Sequence, residues 1–424
     1  MSSGAYTPSD ELSLWWLARP DAPRYVGALH MARTLRGVSL HYGAEWLASG
    51  VALSEDLPLI DEEFLPRERD SAAGAVDDAR PDRWGERVIR FIDKPSRLSL
   101  LEYLYFAGDE RFGALGVSTS ATEYLPRRLG PLPTLADTAA IHELVRRVID
   151  NEPIAAEQLR LVAPGVTMGG ARPKALVDVD GLPWVVKFAD AGEPTDAPLV
   201  EHATMMLARE ARITTAETKT IRLTDGHALA IRRFDRRRAS DGTLHRIHAL
   251  SAHVALGAAG ELSGYPELAQ LLRRRGVVAD GVNMQQMHEL FRRMVFIILI
   301  DNTDDHDKNH VLLARDSGNG QLELAPAFDV LPSGQALGYQ QMRVGSDDAD
   351  ATIDNALSMC PQFGLKRDAA VAQAREVARV VRRWTTHFAN AGVGARDLEY
   401  HAEHIDRPFL REQREALTRA DRRA

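Results

Sequence analysis

Four aspartates, Asp301, Asp304, Asp305 and Asp307, fall within seven positions directly after the apolar run Met294 to Ile300. Carboxylates this close repel one another, so a positive group must compensate. Lys308 and a bound metal ion are the two candidates. Asp304 and Asn309 are separated by four residues. In phosphoryl-transfer loops an Asp at this spacing orients the attacking hydroxyl or accepts its proton, and the Asn binds a magnesium ion. Asp329 follows a stretch that reads as a strand, where such sites place a second magnesium-binding carboxylate. Hard oxygen ligands of this kind suit magnesium, with phosphates completing the shell. Two other readings stay open. His306 and His310 have the spacing of some zinc pairs, although no Glu lies between them. The loop could also be a solvated acidic turn without chemistry, a reading that Asp329 and the hairpin before it weaken.

Three further elements could serve the same chemistry. In residues 167–174 (TMGGARPK), Gly169 and Gly170 let backbone amides approach a phosphate, and Arg172 and Lys174 add positive charge. The spacing is not that of a Walker loop, and a Gly-Gly pair alone can be only a turn. Lys187 sits among the strand residues Trp184 to Phe188. A lysine there is costly to bury without an anionic partner; it can contact the α- and β-phosphates of ATP and pair with a helix glutamate, for which Glu201 is the candidate. An exposed lysine on a polar strand face is the alternative. Residues 231–236 (IRRFDR) lie at a junction of segments, where Phe234 could wall an adenine. Arg236, Arg237 and Arg238 form a basic cluster, read as a solvated charge run or a phosphate or nucleic-acid contact.

These residues need a scaffold, and the chain offers three segments. Residues 1–125 contain strand-like stretches at Tyr25 to Leu29 and Val38 to Leu40, a charged helical stretch from Asp77 to Asp93, and the motif GDERFGALG at 108–116. Prolines 126, 131 and 133 read as a linker. Residues 126–235 carry hairpin signals: Ala175 to Val179 and Trp184 to Phe188 around Asp180-Gly181, and Thr220 to Leu223 and Ala228 to Ile231 around Asp225-Gly226. A helix is expected from Glu201 to Arg212. Residues 236–424 are mostly helical, with buried-face spacing at Met287, Leu290, Phe291, Met294 and Ile298 and again from Val371 to Phe388, capped near Gly392. A further hairpin joins Val311 to Ala314 with Leu322 to Ala325. The fold class is α+β: a β-rich lobe, then a helical lobe, with an additional N-terminal domain.

Composition narrows the class. With 45% hydrophobic and 26% charged residues the chain reads as globular, and its 424 residues call for more than one core. No apolar run approaches the roughly 20 residues that cross a bilayer. The polar N-terminus has no secretory pattern. Cys360 is the only cysteine, which excludes an internal disulfide and a cysteine zinc site and fits a cytoplasmic location. A net charge of −8 argues against whole-surface affinity for nucleic acid or anionic membrane.

Taken in order, the 169–174 loop, the Lys187 strand, residues 233–236 (RFDR), residues 302–309 (NTDDHDKN) and residues 326–329 (PAFD) resemble the HipA family of toxin kinases. The N-terminal segment ending at 108–116 is similar to that family's small N-terminal domain. The resemblance implies a protein-kinase-like two-lobed fold and a serine/threonine protein kinase using ATP and magnesium. It implies Asp304 as catalytic base, Asn309 and Asp329 as metal ligands, and Lys187 as the ATP-phosphate lysine. Gly169, Gly170, Ala171, Arg172, Pro173 and Lys174 would form the phosphate loop, and Arg232 and Phe234 the adenine hinge. Family members autophosphorylate a serine just before the loop; the equivalent position here is Thr167. Members pair with a small helix-turn-helix antitoxin, HipB-like, that brings the complex to operator DNA, and known targets include an aminoacyl-tRNA synthetase. The rival readings are a nucleotide-binding pseudokinase acting as a co-repressor and a kinase of small molecules or lipids.

Overall fold

The structure is a computed structural model that describes residues 6–127, 130–162, 170, 172–315 and 320–419. Thr167, Gly169 and Ala171 lie outside the described residues. The first elements in chain order are β1 (Glu11–Trp16), β2 (Arg24–Ala32), β3 (Gly37–Tyr42), α1 (Ala44–Ser49), β4 (Glu63–Phe64), α2 (Arg83–Ile92), α3 (Leu100–Phe106) and β5 (Leu115–Ser118). There follow α4 (Thr138–Asp150), β6 (Lys174–Val179), β7 (Leu182–Lys187), α5 (Ala197–Glu210), β8 (Thr218–Arg222), β9 (His227–Arg232), β10 (Arg236–Arg238), β11 (Leu244–Arg246) and β12 (His248–Ser251). The remainder is α6 (Ala252–Ala258), α7 (Tyr265–Arg275), α8 (Val282–Leu299), β13 (Val311–Ala314), β14 (Glu323–Leu324), α9 (Ile353–Ser358), α10 (Arg367–Val381), α11 (Trp384–Asn390), α12 (Ala395–Ile405) and α13 (Pro408–Arg419). None of the described helices is long and apolar enough to cross a membrane.

The chain divides into two compact units. The first comprises Met1–Val185, Asp235–Leu250 and Asp316–Gly320, and the second Val186–Phe234, Ser251–Arg315 and Gln321–Ala424.

The first unit is built on an antiparallel sheet in the order β4-β3-β2-β1-β5. Its register sets Leu12 beside Leu29 and Leu29 beside Leu40, and this row is buried. Gly27 pairs with Tyr42, and a Cβ there would meet the His41 carbonyl oxygen at 2.1 Å, so the close strand approach requires glycine. The helix expected from Asp77 to Asp93 is interrupted. Pro81 holds Arg80 extended, and only Arg83–Ile92 is α-helical, after a 3₁₀ turn at Gly74–Ala79. Asp82 caps α2 by accepting from the Gly85 amide at 2.8 Å. Ser99 and Glu102 make a capping box on α3. Sequence reading also missed α4, whose buried residues Ile141, Leu144, Val145 and Val148 follow helical spacing.

The second unit is mainly helical. Its β8–β9 hairpin runs from Thr218 paired with Ile231 to Arg222 paired with His227, and β13 pairs with β14 through Leu312 and Leu324. Helix α8 is its central core element, with Leu290, Phe291, Met294, Val295 and Ile298 all buried. The helix expected without a break from Val371 to Phe388 is two, α10 and α11, interrupted at Arg382 and Arg383. Gly392 follows α11 with φ +96°, a conformation open to glycine.

Candidate active site

Helix α8 ends where the acidic loop begins, and Asp301 makes the turn. Its φ is +59°. Asn302 N–H donates to Ile297 O at 3.0 Å and Asp301 N–H to Ile298 O at 3.3 Å, the paired bonds of a Schellman stop in which Asp takes the place usual for glycine. The Asp301 carboxylate bonds the Arg407 guanidinium at 3.0 Å. Burial pushes its pKa up against the pull of Arg407, leaving it above the ordinary carboxylate value.

The crowding of carboxylates is resolved by separate partners. Asp305 is buried and bonds Tyr265 and His310. Asp307 faces His253 at 3.2 Å; burial raises its pKa, but the bond to His253 and its charge, with Ser263 and His306, bring it below the usual value. Asp304 is exposed. Lys308, a sequence candidate for compensation, is also exposed. A 3₁₀ turn over Asp307–Asn309 then brings Asn309 inward. Its Oδ1 is buried and accepts no hydrogen bond, a donor set suited to a hard cation. His310 Nε2 is bound to Asp305 at 2.7 Å, and the zinc reading of His306 and His310 would need further ligands beside the two rings. Among the described residues there is no group of three or more His, Cys, Asp or Glu side chains placed to hold a metal. Asn309 and Asp329 are a pair of different composition.

Asp329 lies beyond β14. The segment before it is pinned by Ala327, which bridges Thr215 in parallel, and by Ala325 O, which accepts from Arg293 at 2.8 Å. Phe328 is buried, and Phe234 lies against its ring at 5.4 Å. Asp329 itself has φ +56°, a left-handed backbone seen at functional positions. A small cavity lined by Asn309, His310, Ile297, Ala208 and Phe328 places Asn309 beside the segment leading to Asp329.

Lys187, at the end of β7, is 3% exposed. Its Nζ donates to Glu201 at 2.8 and 3.1 Å and to Asp329 at 2.6 Å. Burial works to lower the ammonium pKa, and the Asp329 and Glu201 carboxylates outweigh it, so the net shift is upward. The lysine is therefore charged and shared between a helix glutamate and the aspartate after β14. The alternative of an exposed strand lysine is excluded.

Other expected residues fall elsewhere. Arg232 is exposed and pairs with Glu217 at 3.3 Å. In the first unit, Lys174 is buried and donates to Asp82 at 2.5 Å and to Gly170 O at 2.8 Å. The capping carboxylate of α2 thus also holds this ammonium. Arg172 and Pro173 precede β6, with Pro173 buried. The basic cluster is divided: Arg237 and Arg238 are exposed, whereas Arg236 is not. The Arg236 guanidinium is buried and donates to Asp235 at 2.9 Å, Arg111 O at 2.8 Å and Gly113 O at 3.1 Å. Arg238 donates to Gly181 O at 2.8 Å. Asp235 also accepts from Gly113 N–H at 2.8 Å. The 108–116 motif and the end of 233–236 are therefore one buried polar network, which the sequence showed only as two separate motifs.

A charged strand lysine between a helix glutamate and a post-strand aspartate, with an Asp–Asn loop, is the framework of the protein-kinase-like fold. The chain belongs to the HipA family. The profile of the HipA-like C-terminal domain matches residues 166–384, and that of the HipA N-terminal domain matches residues 22–118. HipA of Shewanella oneidensis MR-1, solved with HipB and operator DNA as a toxin–antitoxin system, has the same fold: TM-score 0.66 over 96% of this chain and 97% of that one, at 17% identity. The kinase-named protein Y4mE of Sinorhizobium fredii is 26% identical over 350 residues, 76% of each chain.

Proposed function

We propose that this chain is an ATP-dependent serine/threonine protein kinase of HipA type. The observation that carries the reading is the Lys187–Glu201–Asp329 cluster, with the buried, unbonded Oδ1 of Asn309 on the neighbouring loop. Lys187 would offset charge on the ATP phosphates, and Asn309 and Asp329 would hold magnesium. Bound magnesium supplies charge neutralisation at the β- and γ-phosphates. Asp304, exposed to an incoming protein, would orient the acceptor hydroxyl and take its proton as the oxygen bonds the γ-phosphorus and ADP leaves. Residues 169–174 would cradle phosphate chiefly through backbone amides, since Lys174 is engaged by Asp82. Phe234, with Arg232 beside it in sequence, would border adenine. The proposed domains are 1–125, 126–235 and 236–424.

The chain would act as the toxin of a toxin–antitoxin pair. Its antitoxin would be a small helix-turn-helix, HipB-like protein through which the complex meets operator DNA, and its target a translation-related protein such as an aminoacyl-tRNA synthetase. Thr167 would be the autophosphorylated residue. Intact-mass spectrometry with peptide mapping after Mg-ATP, beside Asp304→Ala, tests this. A phosphate on the wild type alone, at Thr167, supports the reading. ATP binding without transfer to the chain or to lysate proteins overturns it in favour of a pseudokinase. Labelled metabolites or lipids in place of proteins would make it a small-molecule kinase.

A further inference from the structure

The loop carrying Asp304 and Asn309 is closed by a buried carboxylate that the proposed chemistry does not use. Asp305 is 1% exposed. Its Oδ2 accepts from the Tyr265 hydroxyl and from His310 Nε2 at 2.7 Å. A carboxylate only accepts here, so the imidazole proton sits on Nε2. Asp305 adjoins the proposed base, and His310 adjoins the proposed metal ligand. One side-chain bond therefore spans the loop between the neighbours of the two working residues.

The rest of the structure turns this bond into an anchor. The Tyr265 and His310 rings meet edge to face at 5.4 Å and 80°. Tyr265 opens α7, and its N–H donates to Arg343 O at 3.0 Å. His310 O accepts the Ala252 N–H, at the start of α6, at 2.7 Å. Within the loop itself the backbone supplies little: Asn309 N–H to His306 O at 2.8 Å and His310 N–H to Asp307 O at 3.4 Å. A buried carboxylate is often no more stabilising than a well-packed apolar residue. What it contributes at this place is direction, since its two donors tie the middle of the loop to α7 and to the loop's C-terminal end.

We propose that Asp305, with Tyr265 and His310, is the positioning brace that sets where Asp304 and Asn309 stand relative to one another. The proposal rests on the roles assigned to those two residues above. It is read with Tyr265→Phe and Asp305→Asn in the full chain. Placement errors of about 1 Å cost on the order of a hundredfold in rate. Asp305→Asn, which loses the charge and faces the His310 N–H with an amide, is expected to lower kcat at least about tenfold. Tyr265→Phe, which removes one donor, is expected to lower kcat a few-fold. Both should raise the magnesium concentration for half-maximal rate, leave the ATP KM at saturating magnesium unchanged, and speed amide hydrogen exchange in peptides covering 302–310 but not in α8. Wild-type kcat, magnesium dependence and exchange in a folded variant would overturn the brace, as would exchange that rises evenly over the second unit. If Asp305→Asn does not fold, Tyr265→Phe decides alone. A wild type without transfer defeats the kinase reading instead, and the exchange comparison still reads the brace.

Discussion

Lys187→Met removes the ammonium that bonds both Glu201 and Asp329. The two carboxylates fare differently. Asp329 keeps 16% side-chain exposure and can turn toward water, whereas Glu201 has 1% and stays buried. Removing one partner of a buried ion pair costs roughly 3–5 kcal/mol, because the other charge remains desolvated. Almost all of that cost is expected to come from Glu201. Replacing both, as Lys187→Met with Glu201→Leu, removes the stranded charge and should restore about 2–3 kcal/mol. Glu201→Gln alone leaves Lys187 bonded to Asp329 and should cost only about 1–3 kcal/mol. Pulse proteolysis across a urea series, with fragments mapped to the second unit, measures each value, and phosphate transfer should be lost in every variant lacking Lys187. A cost below about 1 kcal/mol for Lys187→Met, or no recovery in the double variant, would refute the claim that the cluster is a buried, mutually compensating one.

Asp304→Ala should lower transfer by about a hundredfold or more while ATP binding, followed by calorimetry, stays near wild type, because the side chain is exposed. Asn309→Ala should raise the magnesium concentration for half-maximal transfer at least about tenfold, read from a magnesium titration, without lowering the melting temperature, since its Oδ1 makes no bond to lose. Lys174→Met should destabilise the first unit by roughly 3–5 kcal/mol through the stranded Asp82 while the ATP KM changes only modestly; thermal melts and initial rates separate the two. Burial pushes the Asp93 carboxyl up to about 6 despite Arg127 beside it. The folded state then binds the proton more tightly than the unfolded chain, so this contribution is full below about pH 4 and is lost as pH rises through about 6. Asp93→Asn should abolish that loss, gaining about 1–3 kcal/mol on the wild type between pH 4.5 and 7.5 in urea unfolding.

The sequence carried the Lys187 cluster better than the scaffold. Lys187, Glu201, Asn309 and Asp329 were readable because each is a polar residue at a position where local pattern demands an apolar one or a turn, and the structure brings the lysine and the two carboxylates within hydrogen-bond distance. The β8–β9 hairpin and α8 were readable for the opposite reason, since turn chemistry and helical periodicity are local. The missed features are non-local. Whether Arg236 meets solvent or the 108–116 motif depends on residues more than a hundred positions away. Lys174 looked like a phosphate ligand because nothing nearby in sequence announces Asp82, which takes its charge. The break between α10 and α11 is a failure of another kind, because apolar spacing continues through Arg382 and Arg383 while the backbone does not.

The acidic loop shows why charge counting needs the fold. From sequence, its aspartates were one problem with one expected solution, a lysine or a metal. In the structure each side chain meets a different environment. Asp301 is answered by Arg407, Asp305 by a tyrosine and a histidine, and Asp307 by His253. These bonds hold Asp301, Asp305 and Asp307, and Asp304 is the exposed carboxylate of the four, on the same short loop as an asparagine oxygen with no internal partner. A loop whose charges were all balanced by one bound cation would lose its shape with the cation. This one is held by side chains from α6, α7 and the residues before α13, so Asp304 and Asn309, in the proposed roles, can be placed before any ligand arrives. Preorganisation of that kind is where most of the rate gain in phosphoryl transfer originates.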